Sequence, residues 1–252
     1  MTLYIVCWQR LTEVYKRVLG QENDVRERAT PLQWAPIEPL ESRKPLLRGW
    51  FHAIACCGAV AFTILIPMRS QPRAFVFAPL LYGLSMIELY AVSATFHLGT
   101  WRKDRHRALR SLDHASIFVA IASTVTAVCA GISYGWGRTT LLVIVWVLAL
   151  AGAVLAVRFP RVSRTHRTAL YVGIGWIAAL VLPALWTTLP HVAAGLLALG
   201  GLCYLAGSLV YLRRAPDPLP RVLGYHEIFH VLVIVGNALC AVVVWSWILP
   251  VK

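Results

Sequence analysis

The sequence predicts an all-α integral membrane protein: a bundle of seven transmembrane helices with a cytoplasmic N-terminus and the C-terminus outside. Three observations predict it. Of 252 residues, 58% are hydrophobic and only 14% charged, where soluble domains are about one quarter charged. Apolar runs recur at a length that crosses the ~30 Å hydrocarbon layer. The basic residues between those runs fall alternately on one side, and helices are the open-ended way to satisfy backbone hydrogen bonds in lipid.

The expected spans are 49–68, 74–98, 112–133, 139–157, 169–188, 191–211 and 226–249, with Pro67, Pro72, Pro160, Pro190 and the segment APDPLPR marking their boundaries. Before the first span stand eight Lys or Arg. The second loop carries Arg102, Lys103, Arg105, Arg107 and Arg110, the fourth Arg158, Arg161, Arg164 and Arg167, and the sixth Arg213, Arg214 and Arg221. Only Arg69, Arg73, Arg138 and Lys252 fall on the opposite side, so 20 of the 24 basic residues share one face. The positive-inside rule makes that face cytoplasmic. The net charge of +13 is therefore a topology signal and a contact with anionic lipid. It is not a nucleic-acid surface, which needs a folded basic face with a reading element.

Residues 45–252 form the membrane domain, preceded by a distinct segment, 1–44. In that segment Tyr4, Trp8, Leu11, Tyr15 and Val18 recur at helical spacing with Arg10, Lys16 and Arg17 between them, the pattern of a short amphipathic helix on the inner leaflet. QENDVRERATPLQWAPIEPLESRK then reads as a linker. The run LYIVCW is too short, and lacks a preceding basic region, for a signal peptide. The six cysteines, Cys7, Cys56, Cys57, Cys129, Cys203 and Cys240, are scattered without a C-x-x-C and read as reduced thiols.

Ionisable groups within spans are costly and mark candidate functional positions. The second span ends at the cytoplasmic side in ELYAVSATFHLG, placing His97 near that surface and Ser93 one turn deeper. The third starts there with RSLDHASIF and Asp113, and the seventh with His226 and His230. Five polar side chains from three helices thus share one depth. Ser93 with His97, and His226 with His230, are spaced i, i+4 and share helix faces. Three imidazoles leave a fourth position on zinc for water, the plan of a catalytic site. Asp113 is the candidate proton acceptor, and Ser93 a hydrogen-bond donor to a substrate oxygen.

Residues 226–230, HEIFH, also match H-E-x-x-H, in which the glutamate serves as base of a metalloprotease. The acid motif expected after the zinc helix in an intramembrane protease is missing; SLDHAS precedes it instead. Haem needs one histidine on each of two facing helices, which suits two histidines in one turn less well than zinc. A histidine in a membrane helix also serves as an interhelical hydrogen-bond partner. That bland reading is taken for His52, His106, His114, His166 and His191, and a hydrogen bond to a neighbouring helix is expected of Glu88.

With these residues in hand, the chain resembles the haemolysin III branch of the progestin and adiponectin receptor superfamily. The resemblance runs from Lys44 to the end. It rests on KPLLRGWFHAIA, SATFH, RSLDHASIF, LYVGIGW and GYHEIFHVLVIVGNAL, and departs from many relatives at ASTVTA, residues 122–127, where they read like AGTYTP. The resemblance implies seven helices and zinc in the cytoplasmic half, with His97, His226 and His230 as ligands, Asp113 as the water-holding acid and Ser93 beside it. It also implies a bacterial inner-membrane location and, from relatives associated with ceramide hydrolysis, a lipid-amide hydrolase. The alternative is a non-enzymatic membrane factor, lytic or fluidity-sensing, with a structural zinc. Membrane lipids and zinc are the expected partners.

Overall fold

A computed structural model of the chain describes residues 45–69, 76–131 and 135–249. The 1–44 segment and its expected amphipathic helix lie outside the described residues. The architecture is α1 (Trp50–Arg69), α2 (Phe77–Leu98), α3 (Lys103–Cys129), α4 (Trp136–Arg158), α5 (Arg164–Ala179), α6 (Leu182–Thr188), α7 (His191–Arg213) and α8 (Tyr225–Val243). These make seven spans long and apolar enough to cross a membrane, α5 and α6 together forming the fifth. The protein is a multi-pass membrane protein.

Two elements differ instructively from the sequence expectation. The third helix starts at Lys103, nine residues before the apolar run. KDRHRALR contains no helix breaker, its residues have good helix propensity, and Asp104 in the first turn complements the helix dipole. Arg105, Arg107 and Arg110 are thus helical surface rather than loop. The fifth span breaks between Ala179 and Leu182. Pro183 has no N–H to donate to the carbonyl four residues back, which is that of Ala179.

The helices α2 and α3 are the most buried spans and form the centre. One apolar core lies among α1, α2, α3, α6, α7 and α8, around Ile66, Tyr82, Leu185 and Val243; a second joins α3, α4 and α5 around Phe118, Val145 and Ile174. Without a hydrophobic drive between helices in lipid, close approach and buried polar bonds take over. Gly83 packs against Thr63, and Gly152 against the ring of Phe118. Asn237 on α8 donates to the Tyr90 hydroxyl at 2.8 Å, its carbonyl accepts from Tyr82 at 2.7 Å, and Tyr204 donates to its side-chain oxygen. That network ties α2, α7 and α8 together.

The expected hydrogen bond of Glu88 is not made among the described residues: its side chain is exposed on the outward face of α2. Cys129 and Cys240 are buried, and every described cysteine is free.

Candidate metal centre

The site forms where α2 ends and α8 begins. Helix α2 terminates at Gly99, whose extended backbone follows the last turn, leaving His97 in that turn, 8% exposed. Helix α8 starts after Gly224, so His226 and His230 fall on the first two turns of one face, and His230 is 2% exposed. His226 Nε2 and His97 Nε2 are 3.2 Å apart, and one ligand nitrogen from each of the three histidines lies within 4.8 Å of the others. Imidazoles bind zinc at about 2.0–2.1 Å, which sets a tetrahedral ligand–ligand edge of roughly 3.3 Å. The His97–His226 pair already matches that edge. Three neutral-capable nitrogen donors, buried and convergent, fit a borderline metal, and among the described residues this is the group able to hold one.

Asp113 on α3 places Oδ2 3.9 Å from His97 Nε2. Its side chain keeps 14% of its exposure, and it faces a cavity. Ser93, 2% exposed, lies one turn deeper than His97 and lines the same cavity as Asp113. The five residues singled out by depth and spacing are thus gathered at one place, as neighbours contributed by three helices.

The segment leading into α1 contributes more than the sequence reading gave it. Gly49 adopts φ +88°, and a Cβ there would come 2.9 Å from the His97 Cβ, so both its conformation and its lack of a side chain are needed. His52, set aside above, is 3% exposed and stacks on His230. Among the described residues neither of its ring nitrogens has a hydrogen-bond partner. Depth alone pointed to it, since α1 starts from the same face of the membrane as α8.

Glu227 is fully buried. It pairs with Arg48 and accepts from Gly224 N at 2.8 Å, closing the N-terminus of α8. Two backbone bonds, Leu46 N to Arg221 O at 3.0 Å and Leu47 N to Val222 O at 3.2 Å, fasten the same segment to the loop before α8. The glutamate of HEIFH is therefore committed to holding the helix start.

The other histidines stay outside the cluster. His106 packs on Phe96, His166 lies against Ser163, His191 against Trp186, and His114 contacts Arg167.

A cavity of about 510 Å³ opens directly beside the cluster. His226, His230, Asp113 and Ser93 line one end. The remainder is walled by apolar residues of α3, α5, α7 and α8, among them Ile117, Val125, Leu197 and Val233. Gly175, Trp176, Gly201 and Leu202 belong to its lining and are also exposed on the lipid-facing surface. The cavity therefore reaches the bilayer sideways, between α5 and α7.

Comparison with known proteins agrees with this architecture. A family model described as haemolysin-III related matches residues 40–241. A hemolysin-3 homolog of Bacillus subtilis (strain 168) is 34% identical over 180 residues, covering 71% of this chain and 81% of that protein. Hemolysin-3 of Bacillus cereus is 29% identical over 198 residues, covering 79% and 87%. The human monocyte to macrophage differentiation factor is 22% identical over 203 residues, covering 78% and 81%.

Proposed function

The chain belongs to the haemolysin-III-related family of membrane proteins, and from that premise we propose that it is a zinc-dependent hydrolase of lipid amides. The observation that carries the reading is the continuity of the histidine cluster with an apolar cavity open to the bilayer. Its ~510 Å³ lies in the range of small-molecule sites. Polar groups crowd one end and hydrocarbon walls the rest, which suits an amphiphile that enters sideways and presents its polar linkage to the cluster.

His97, His226 and His230 would hold the zinc, which when bound supplies a Lewis acid that polarises a carbonyl. The chain's own groups do the remaining work. The apolar walls of α3, α5, α7 and α8 take the hydrocarbon chain and exclude bulk water. Asp113 takes a proton from the attacking water as the water's oxygen adds to the amide carbon. It then returns that proton to the nitrogen as the C–N bond breaks, leaving a fatty acid and an amine. Ser93, lining the same end of the cavity, donates a hydrogen bond to the substrate oxygen. Glu227 has no part in this chemistry, being engaged by Arg48 and Gly224.

The test is fatty-acid release from a ceramide by the purified full chain in lipid nanodiscs. Release that disappears on chelation and in Asp113→Asn supports the reading. Zinc-replete protein that cleaves no ceramide or other N-acyl lipid overturns it.

A second reading, a non-enzymatic membrane factor, draws on the way the cluster joins the end of α2 to the start of α8. A metal there would fasten two helices, as the Asn237 network does deeper in the bundle. Under that reading Asp113→Asn leaves the cellular phenotype unchanged.

A further inference from the structure

At the cytoplasmic end of the bundle, a second pocket of about 420 Å³ lies between the first turns of α3, the start of α5 with the loop before it, and the end of α7. Five arginines line it: Arg110, Arg161, Arg164, Arg167 and Arg214. Among the described residues no carboxylate lies within 4.0 Å of any of them. The ion pairs formed there are Arg48–Glu227, His97–Asp113 and Arg107–Asp104. Guanidinium groups stay charged under all conditions of interest, so the pocket holds five permanent positive charges with no ion-pair partner among the described residues.

The excess of basic residues on this face explains why arginines are present, but not how these are arranged. Arg167 is only 6% exposed. Its Nη1 meets His114 Nδ1 at 3.3 Å, a neutral-capable partner. A buried charge normally has an ionic one. Arg164 is already committed: its Nη1 donates to the Tyr211 carbonyl at 3.0 Å, and its guanidinium lies 4.5 Å over the Tyr211 ring. It forms a fixed wall. Arg110, Arg161 and Arg214 are exposed, and nothing among the described residues engages their guanidiniums. The result is a concave basic site with one buried charge at its floor and free planar donors at its rim.

We propose that this pocket binds a phosphate group, and that the phosphate is the headgroup of an anionic lipid. Arginine forks match phosphate oxygens two at a time, and a phosphate supplies the anion that Arg167 lacks. The lipid assignment comes from continuity: Arg167 and Tyr211 line both this pocket and the apolar cavity. A chain lying in the cavity can therefore carry its headgroup to the arginines. The site is one of binding and does not depend on whether the histidine cluster catalyses hydrolysis.

The test uses the delipidated full chain in neutral detergent. Equilibrium retention of labelled phosphatidic acid is compared with phosphatidylcholine of the same chains, with inorganic phosphate as competitor. The double variant Arg110→Gln/Arg161→Gln alters only exposed pocket residues. Arg105→Gln/Arg158→Gln removes the same charge from the same face outside the pocket. The expected result is preferential retention of phosphatidic acid, weakened at least about tenfold in the pocket variant, as for loss of a charge-assisted hydrogen bond, and unchanged in the control. Equal weakening in both variants overturns the proposal in favour of diffuse surface attraction. Inorganic phosphate that binds as tightly as the lipid overturns the lipid assignment. Failure of the wild type to retain either ligand overturns the site altogether.

Discussion

His52 lies face to face with His230, their ring centroids 3.9 Å apart and their planes 4° from parallel. The stack joins the start of α1 to the second turn of α8. With neither nitrogen of His52 hydrogen-bonded among the described residues, its contribution is the flat face it presents. It holds the His230 ring in place, a task usually given to groups around metal ligands. Replacing His52 by Ala should weaken metal affinity about 10- to 100-fold, while His52→Phe, which keeps a stacking face, should retain most of it. Competition against a chelator of known affinity measures both.

His97 and His230 come from different helices and meet at one centre. About one zinc per chain is expected in the purified wild type by plasma mass spectrometry, and little in either His97→Ala or His230→Ala. Zinc lost in one variant and kept in the other would show that the two helices do not share a site.

Asp113 stands beside the cluster, 3.9 Å from His97, and in the proposed hydrolysis it carries a proton rather than holding metal. Asp113→Asn should keep the zinc and lose lipid-amide hydrolysis by about 10²- to 10⁴-fold, the usual scale of general acid–base catalysis. Parallel zinc content and turnover on the same preparation check it.

A side chain built at Gly175 or Gly201 meets no atom within 4 Å, although both line the cavity. Gly201→Phe should therefore fold normally and keep its zinc. By narrowing the sideways opening, it should raise the KM for a long-chain substrate more than for a short-chain one. Equal effects on both chain lengths would place the substrate route elsewhere.

Arg48 is the ionic partner of the fully buried Glu227. Arg48→Met leaves that carboxylate without its cation and should destabilise the protein by roughly 3 kcal/mol. Thermal unfolding in detergent reads the loss, and adding Glu227→Met should recover part of it by removing the stranded charge.

The seven spans and their order were legible because each is an apolar run of membrane-crossing length bounded by charge or proline. The start of α3 was misplaced because hydropathy marks where lipid ends, not where a helix ends: Lys103–Arg110 are good helix formers that extend into the cytoplasm. The break at Ala179–Leu182 carried a local signal in Pro183. Glu88 was expected to pair because it stands mid-span, but no periodicity argument fixed the face of α2 that meets lipid when α2 is apolar on nearly every side.

By itself the sequence determined depth: which residues lie near the basic face of the membrane, and so that His97, Asp113, His226 and His230 share a level with Ser93 just beneath. Depth follows from hydropathy and charge along one chain, which are one-dimensional quantities. Only the tertiary structure decided which of those residues touch. The rotation of each helix about its axis is set by packing between segments far apart in sequence, as in the stack of His52 on His230, Gly49 against His97 and Arg48 on Glu227. The same packing gathers arginines of three separate segments around one pocket, where the sequence records only a basic excess in its loops.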